Sequence, residues 1–70
     1  MELDYKAIGK RIKIARIQAE LSQEALAEKA DLSPTHMSNI ENANTKLSLP
    51  MLISIANALS VSADTLLCDS

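Results

Sequence analysis

The sequence predicts an all-α protein, a compact bundle of five short helices in a single domain of 70 residues. Apolar residues recur at three- and four-residue spacing, and no stretch alternates as an amphipathic strand would. One Gly and two Pro are too few for a turn-rich β fold. A serine that can cap a helix stands at each predicted break, and the core must be aliphatic because Tyr5 is the only aromatic residue.

The first helix is predicted over residues 4–20. Its main apolar stripe follows helical spacing and consists of Tyr5, Ile8, Ile12, Ala15 and Ala19. A second stripe consists of Ile14, Ile17 and Leu21. We expect another helix of the bundle to cover the second stripe, and a partner surface is the alternative. Gly9 lowers helix propensity by roughly 1 kcal/mol, so its presence indicates close packing against a neighbouring helix.

The second and third helices are separated by a short break. Ser22 can cap the second helix, predicted over 23–30. Ser33 can cap the third, predicted over 34–42, and Pro34 occupies its first position, where a missing N–H has no cost.

The fourth and fifth helices follow a polar loop at 43–47. Ser48 can cap the fourth helix, predicted over 49–59. Ser62 can cap the fifth, predicted over 63–67, which completes a bundle with tight connections.

Residues 23–42 have the geometry of a helix-turn-helix unit, two short helices joined by a three-residue turn. Four residues are expected to face inward within this unit: Leu26, Ala30, Met37 and Ile40. Ala27 is small, as a close helix crossing requires, and Leu32 in the turn can fill the gap between the helices.

The charge balance is acidic, with a formal net charge of −2 and an isoelectric point near 5.2. Five of the seven positive charges precede residue 17, and an acidic run of Glu20, Glu24 and Glu28 follows them. Because the charges are segregated, one surface can be positive although the total is negative. The alternative is that both runs are simply solvated helix faces.

The sequence lacks the residues that several classes of function require. The single cysteine, Cys68, excludes an internal disulfide and a cysteine-based zinc site, and His36 has no further ligands at metal spacing. No catalytic triad, carboxylate pair or Gly-rich phosphate loop can be assembled, so we expect no enzyme, cofactor or small-molecule ligand. Without a signal peptide or membrane span, the cytoplasm is the expected location.

Five segments carry a family resemblance: IGKRIK at 8–13, LSQEALA at 21–27, MSNIE at 37–41, IANAL at 55–59 and VSADTLL at 61–67. In this order and spacing the sequence resembles the Cro and phage-repressor (XRE-like) family of helix-turn-helix proteins. The resemblance implies the lambda-repressor-like fold. It also implies a sequence-specific, repressor-like transcriptional regulator that docks its third helix in the major groove of double-stranded DNA as a homodimer.

The sequence departs from the family pattern at three positions. Asp31 and Ala43 stand where the family commonly has Gly, and both positions often need a left-handed backbone, which Asp tolerates better than Ala. Leu47 replaces the usual Pro before the fourth helix.

The third helix provides the candidate base-reading residues. At about 100° per residue, Met37, Ile40 and Glu41 share an inward face, which leaves a polar face for the groove. That face carries Thr35, Ser38, Asn39 and Asn42. Asn can form paired hydrogen bonds to adenine, and Thr can bond a base or contact the thymine methyl. The alternative is an ordinary amphipathic helix with a polar outer face.

Phosphate contacts are implied beside this helix. Ser22 and Gln23 resemble the family's contacts at the start of the second helix, where free amides suit an anion, although Ser22 can also serve as a cap alone. His36 flanks the third helix. The loop that follows the DNA backbone in the family carries Asn44, Thr45 and Lys46. For Lys46 the alternative is a solvated loop lysine.

The resemblance also implies an ion pair between Arg16 and Glu41. A carboxylate close to the core requires a bidentate guanidinium partner. The dimer surface is expected around the fourth and fifth helices, including Leu66 and Leu67, with Ile17 as a weaker candidate.

An alternative function is a protein-interaction or antitoxin-like module with this fold and weak or no sequence-specific DNA binding. The acidic balance favours it slightly. Salt-dependent binding to random DNA distinguishes the two functions, because a DNA-binding protein must release counterions.

Overall fold

The computed structural model describes residues 4–67, so Cys68 lies outside the described residues. Five helices and no strand occur in this range: α1 (Tyr5–Gln18), α2 (Gln23–Lys29), α3 (Pro34–Glu41), α4 (Leu49–Leu59) and α5 (Ala63–Leu67). The bounds of α4 and α5 match the prediction, whereas α1, α2 and α3 end one or two residues early. None of the helices in residues 4–67 has the length and apolar character that a membrane crossing requires.

The helix starts are capped as the sequence predicts. Ser22, Ser33 and Ser48 each accept a hydrogen bond through the side chain from the backbone N–H three residues ahead. Ser62 does the same at the start of α5, with 3.3 Å between Ser62 Oγ and the backbone nitrogen of Thr65. Asp4, predicted as the first helical residue, is instead the cap of α1. These contacts satisfy amides that have no partner inside the helix.

Left-handed residues end the first four helices: Glu20, Asp31, Ala43 and Ser60 have φ between 59° and 61°. The predictions for Asp31 and Ala43 are confirmed, whereas Glu20 and Ser60 were not expected. At the end of α1, the Leu21 amide donates to the Arg16 carbonyl and the Glu20 amide to the Ile17 carbonyl. The same two-bond closure recurs after α2, α3 and α4. Each non-Gly residue costs roughly 1–2 kcal/mol in this conformation.

One aliphatic core joins all five helices. The largest fully buried side chains come from every helix: Ile12, Leu26, Met37, Ile55 and Leu66. The predicted inward residues of the helix-turn-helix unit are buried: Leu26, Ala27, Ala30, Met37 and Ile40. Leu47 is also buried, so the residue that replaces the family's proline belongs to the core.

Two surface expectations are wrong. Ile14 and Ile17 are 47% and 56% exposed, so no helix covers the second stripe of α1, and only Leu21 of that stripe packs on the core. Leu66 is fully buried inside the protomer, so it has no surface to offer a second copy. Both errors arise because helical spacing reports which residues share a face and not what lies opposite that face.

Gly9 lies where α1 packs directly against the end of α3. A Cβ built on Gly9 would lie 2.6 Å from the Ile40 carbonyl oxygen and 2.7 Å from that of Glu41. Both obstacles are backbone atoms at the end of α3, which cannot rotate away. The predicted close packing is confirmed, and α1 crosses the end of α3 in direct backbone contact.

We predict that Gly9→Ala destabilises the protein by roughly 1–3 kcal/mol, because the added methyl must push α1 and α3 apart. Helix propensity alone would predict a gain of about 1 kcal/mol, so the two explanations differ in sign. Urea denaturation followed by circular dichroism measures the change. Lys10→Ala, at the exposed neighbouring position, is the control and should change stability little. A Gly9→Ala protein as stable as the parent would contradict the backbone contact.

Candidate nucleic-acid interface

The Glu41 carboxylate holds the end of α3 against α1. Arg16 Nε donates to Glu41 Oε2 at 2.8 Å, and Arg16 Nη2 donates to Glu41 Oε1 at 3.3 Å. The side chains of Arg16 and Glu41 are 12% and 1% exposed. The structure thus brings the two predicted residues together as a bidentate ion pair, the geometry that a carboxylate at the edge of the core requires.

Two further hydrogen bonds extend this pair to the start of α2. Gln23 Nε2 donates to Glu41 Oε1 at 3.1 Å, and Arg16 Nη1 donates to the Leu21 carbonyl at 2.8 Å. Neither bond was predicted, because spacing along the chain gives no signal for them. The carboxylate orients the Gln23 amide with its nitrogen inward, which leaves its second N–H and its carbonyl oxygen for a ligand. The start of α2, the end of α3 and the end of α1 therefore meet at one carboxylate.

The outer face of α3 is polar. Thr35 and Asn42 are exposed, whereas Ser38, Asn39 and His36 are half-buried. Asn42 Nδ2 donates to Ser38 Oγ at 3.4 Å. Two of the four base-reading candidates, Ser38 and Asn39, are thus partly covered. The most accessible base-reading candidates are therefore Thr35 and Asn42.

The phosphate candidates at the start of α2 and in the loop after α3 lie near the C-terminal end of α3. Exposed Ser22 accepts from the Ala25 amide at 3.0 Å, so its hydroxyl acts as the cap of α2. After α3, the Asn44 amide donates to the Asn39 carbonyl at 2.8 Å, which ties the start of the loop to the helix. Asn44 and Lys46 are exposed and Thr45 is half-buried. The Gln23 contact with Glu41 brings the start of α2 to the same end of α3.

Two of the five positive charges that precede residue 17 bind groups within the protein. Arg16 is paired with Glu41, and Arg11 donates to the carbonyls of Leu66 and Leu67 at 3.2 Å and 2.9 Å, an unpredicted contact that ties α1 to α5. The lysines of α1 are exposed. In residues 33–48 the only cation is Lys46. The candidate interface therefore relies on neutral hydrogen-bonding groups more than on cations.

The sequence profile of the helix-turn-helix family matches residues 12–66. The chain belongs to this family. The predicted resemblance to Cro and phage repressors is confirmed, since the chain is 41% identical over 54 residues to the immunity repressor protein of Bacillus phage phi105. That match covers 77% of this chain and 38% of the repressor, so the chain spans well under half of the repressor's length.

Solved structures of a controller protein and of a master regulator share the fold of this helix-turn-helix chain. The restriction-modification controller protein C.AhdI from Aeromonas hydrophila superposes with a TM-score of 0.88 at 28% identity, over 90% of this chain and 96% of C.AhdI. The master regulator for biofilm formation SinR, solved in complex with DNA, has a TM-score of 0.81 at 40% identity, over 87% of this chain and 98% of SinR. The predicted fold class is confirmed.

We predict that Glu41→Ala lowers the free energy of unfolding by about 3–5 kcal/mol, because Arg16 loses its partner at the edge of the core. Urea denaturation measures the loss. Glu24→Ala removes an exposed carboxylate from α2 and is the matched control, with little change expected. A loss below about 0.5 kcal/mol for Glu41→Ala would show that the pair adds no stability.

Proposed function

We propose that this helix-turn-helix chain is a sequence-specific DNA-binding transcriptional regulator of the repressor type. The observation that carries this proposal is the exposed polar face of α3, held at a fixed angle by the Gly9 contact and the Arg16–Glu41 pair. Its likeness to SinR, solved in complex with DNA, supports the same mode of docking. The chain acts by binding alone, without catalysing a reaction, and works in the cytoplasm.

In this proposal α3 enters the major groove and reads base edges. The reading residues are Thr35, Ser38, Asn39 and Asn42, whose neutral groups suit adenine and thymine edges. Phosphate oxygens are bound beside them by Ser22, Gln23, His36, Asn44, Thr45 and Lys46. Because one cation serves this interface, base contacts contribute a larger share of the affinity than in a strongly basic domain.

We further propose that two copies bind a palindromic site through the outer face of α4. Leu49 and Ile53, one turn apart on this face, are 63% and 44% exposed. Residues 47–63 contain no charged residue. An uncharged face can meet its own copy across a two-fold axis without like-charge repulsion, and interface cores are depleted of charge.

The second candidate function is a protein-interaction module with weak or no sequence-specific DNA binding. The exposed carboxylates of Glu20 in the turn after α1 and of Glu24 and Glu28 on α2 favour it, because they repel phosphate. Binding to random DNA at low salt separates the two functions, since a DNA regulator must show a salt-dependent affinity.

We predict opposite signatures for Asn39→Ala and Lys46→Ala. On a site selected from random oligonucleotides, Asn39→Ala should cost about 1–3 kcal/mol and relax the preference at one base pair, with the salt dependence unchanged. Lys46→Ala should weaken binding to all sequences alike. It should also reduce, by about one, the magnitude of the slope of log binding constant against log salt concentration. Fluorescence anisotropy at several salt concentrations measures both effects.

The control for these two variants is Asp64→Ala, an exposed charge on α5 outside the candidate interface. Parent-like affinity of Asn39→Ala for the selected site would show that α3 is not docked as proposed. If neither substitution changes the affinity for DNA and no DNA is bound at low salt, the interaction-module function replaces the proposal.

We predict that Ile53→Ser reduces the cooperativity of binding to a palindromic site and leaves binding to an isolated half-site unchanged. The reason is the loss of apolar contact between two copies. Sedimentation velocity with labelled duplex gives the stoichiometry, expected to be two chains per palindrome. Ile14→Ser, at a similarly exposed isoleucine of α1, is the matched control and should bind like the parent. One chain on an optimal palindrome would overturn the dimer.

A further inference from the structure

The outward side of α1 carries a cationic and apolar stripe that the fold leaves exposed. Its five residues are Lys6, Lys10, Lys13, Ile14 and Ile17, hereafter the α1 stripe. At about 100° per residue they lie within roughly 100° of arc, and at 1.5 Å per residue they extend for about 16 Å. The α1 stripe is therefore one continuous surface and not a set of scattered side chains.

The fold does not use the α1 stripe. Contacts of α1 within the described residues come from its other sides: Ile8 and Ile12 enter the core, Gly9 meets α3, and Arg16 binds Glu41. Ile14 and Ile17 remain about half exposed and adjacent to each other. Adjacent exposed apolar side chains with a polar rim are typical of an interaction surface.

A depression beside Ile14 offers space for a side chain from a facing helix. Ala7, Lys10, Arg11 and Ile14 line it, with a volume of about 240 Å³. Their spacing of three, four and seven residues is that of the hole into which a knob packs between two helices. The hydrogen bonds from Arg11 to the Leu66 and Leu67 carbonyls fix the position of one lining side chain, and Ala7 contributes only a methyl group to the lining.

Charge decides which helix can occupy this surface. α1 contains no Asp or Glu, so nothing on the helix offsets the three lysines. A second copy docked symmetrically through the α1 stripe would bring lysines against lysines, in contrast to the uncharged face of α4. Nucleic acid would pair with the lysines but would leave the two isoleucines against a charged backbone. The complementary partner is a helix with an apolar seam and flanking carboxylates.

We propose that the α1 stripe is a docking site for an acidic amphipathic helix of another protein, with its apolar side chains on Ile14 and Ile17 and its carboxylates near Lys6, Lys10 and Lys13. Binding of this helix is independent of the proposed DNA function, because it uses the side of α1 turned away from the core and not the outer face of α3.

The test is a nuclear magnetic resonance titration of the full chain, labelled at the isoleucine methyl groups. The probe is a synthetic helical peptide with Leu at alternating three- and four-residue spacing and flanking Glu, and a second peptide has Lys in place of Glu. We expect the Glu peptide to shift the methyl signals of Ile14 and Ile17 and to leave Ile53 unchanged. The Lys peptide should shift none of them.

Two variants make the test specific. Ile14→Ser should weaken Glu-peptide binding roughly tenfold, because part of a buried apolar side chain is lost. Lys10→Glu should weaken it severalfold, and added salt should reproduce that loss in the parent. Thermal unfolding checks that both variants remain folded. Ile53→Ser, which alters the α4 face, should bind the Glu peptide like the parent.

Three results would overturn the proposal. The first is the absence of shifts at millimolar Glu peptide, and the second is equal shifts at Ile14 and Ile53. The third is an unchanged peptide affinity in Lys10→Glu with a reduced affinity for random DNA. That third result would assign the lysines to the DNA backbone.

Discussion

The position of α3 depends on its contact with α1. At the end of α3 the Ile40 and Glu41 carbonyls lie so close to α1 that only Gly fits at position 9. At the same end the Glu41 carboxylate accepts from Arg16 and Gln23. Steric contact fixes the distance between the helices, and the charged hydrogen bonds fix their rotation. A helix of eight residues has little stability of its own, so this contact sets how its polar face is presented.

The second constraint is the way the helices end. Four left-handed residues, none of them Gly, reverse the chain directly after α1, α2, α3 and α4. The two hydrogen bonds at each reversal and the burial of nearby apolar residues offset the conformational cost. After α3 the reversal at Ala43 turns Asn44 back onto the helix, so the loop with Lys46 begins beside the end of α3. Short, closed connections therefore place the candidate phosphate contacts next to the candidate base-reading residues.

Three of the helices differ in the charge of their exposed side chains. α1 carries lysines and two isoleucines, α2 carries carboxylates, and the outer face of α4 is uncharged. The overall charge of −2 does not show this difference between the helices, because it is a sum over the whole chain. Each face suits a different kind of partner, because like charges repel and uncharged apolar surface gains from burial against itself or another apolar surface.

The sequence by itself determined the helix order, the caps and the inward residues, because hydrophobic spacing and serine caps act within a few residues of the chain. It also predicted the close approach at Gly9 and the left-handed turns at Asp31 and Ala43. Only the tertiary structure decided that Ile14 and Ile17 stay exposed, that Leu66 belongs to the core, and that Gln23 binds Glu41. These features depend on which elements pack against each other although they are far apart in the chain. The local spacing of apolar residues does not predict that packing.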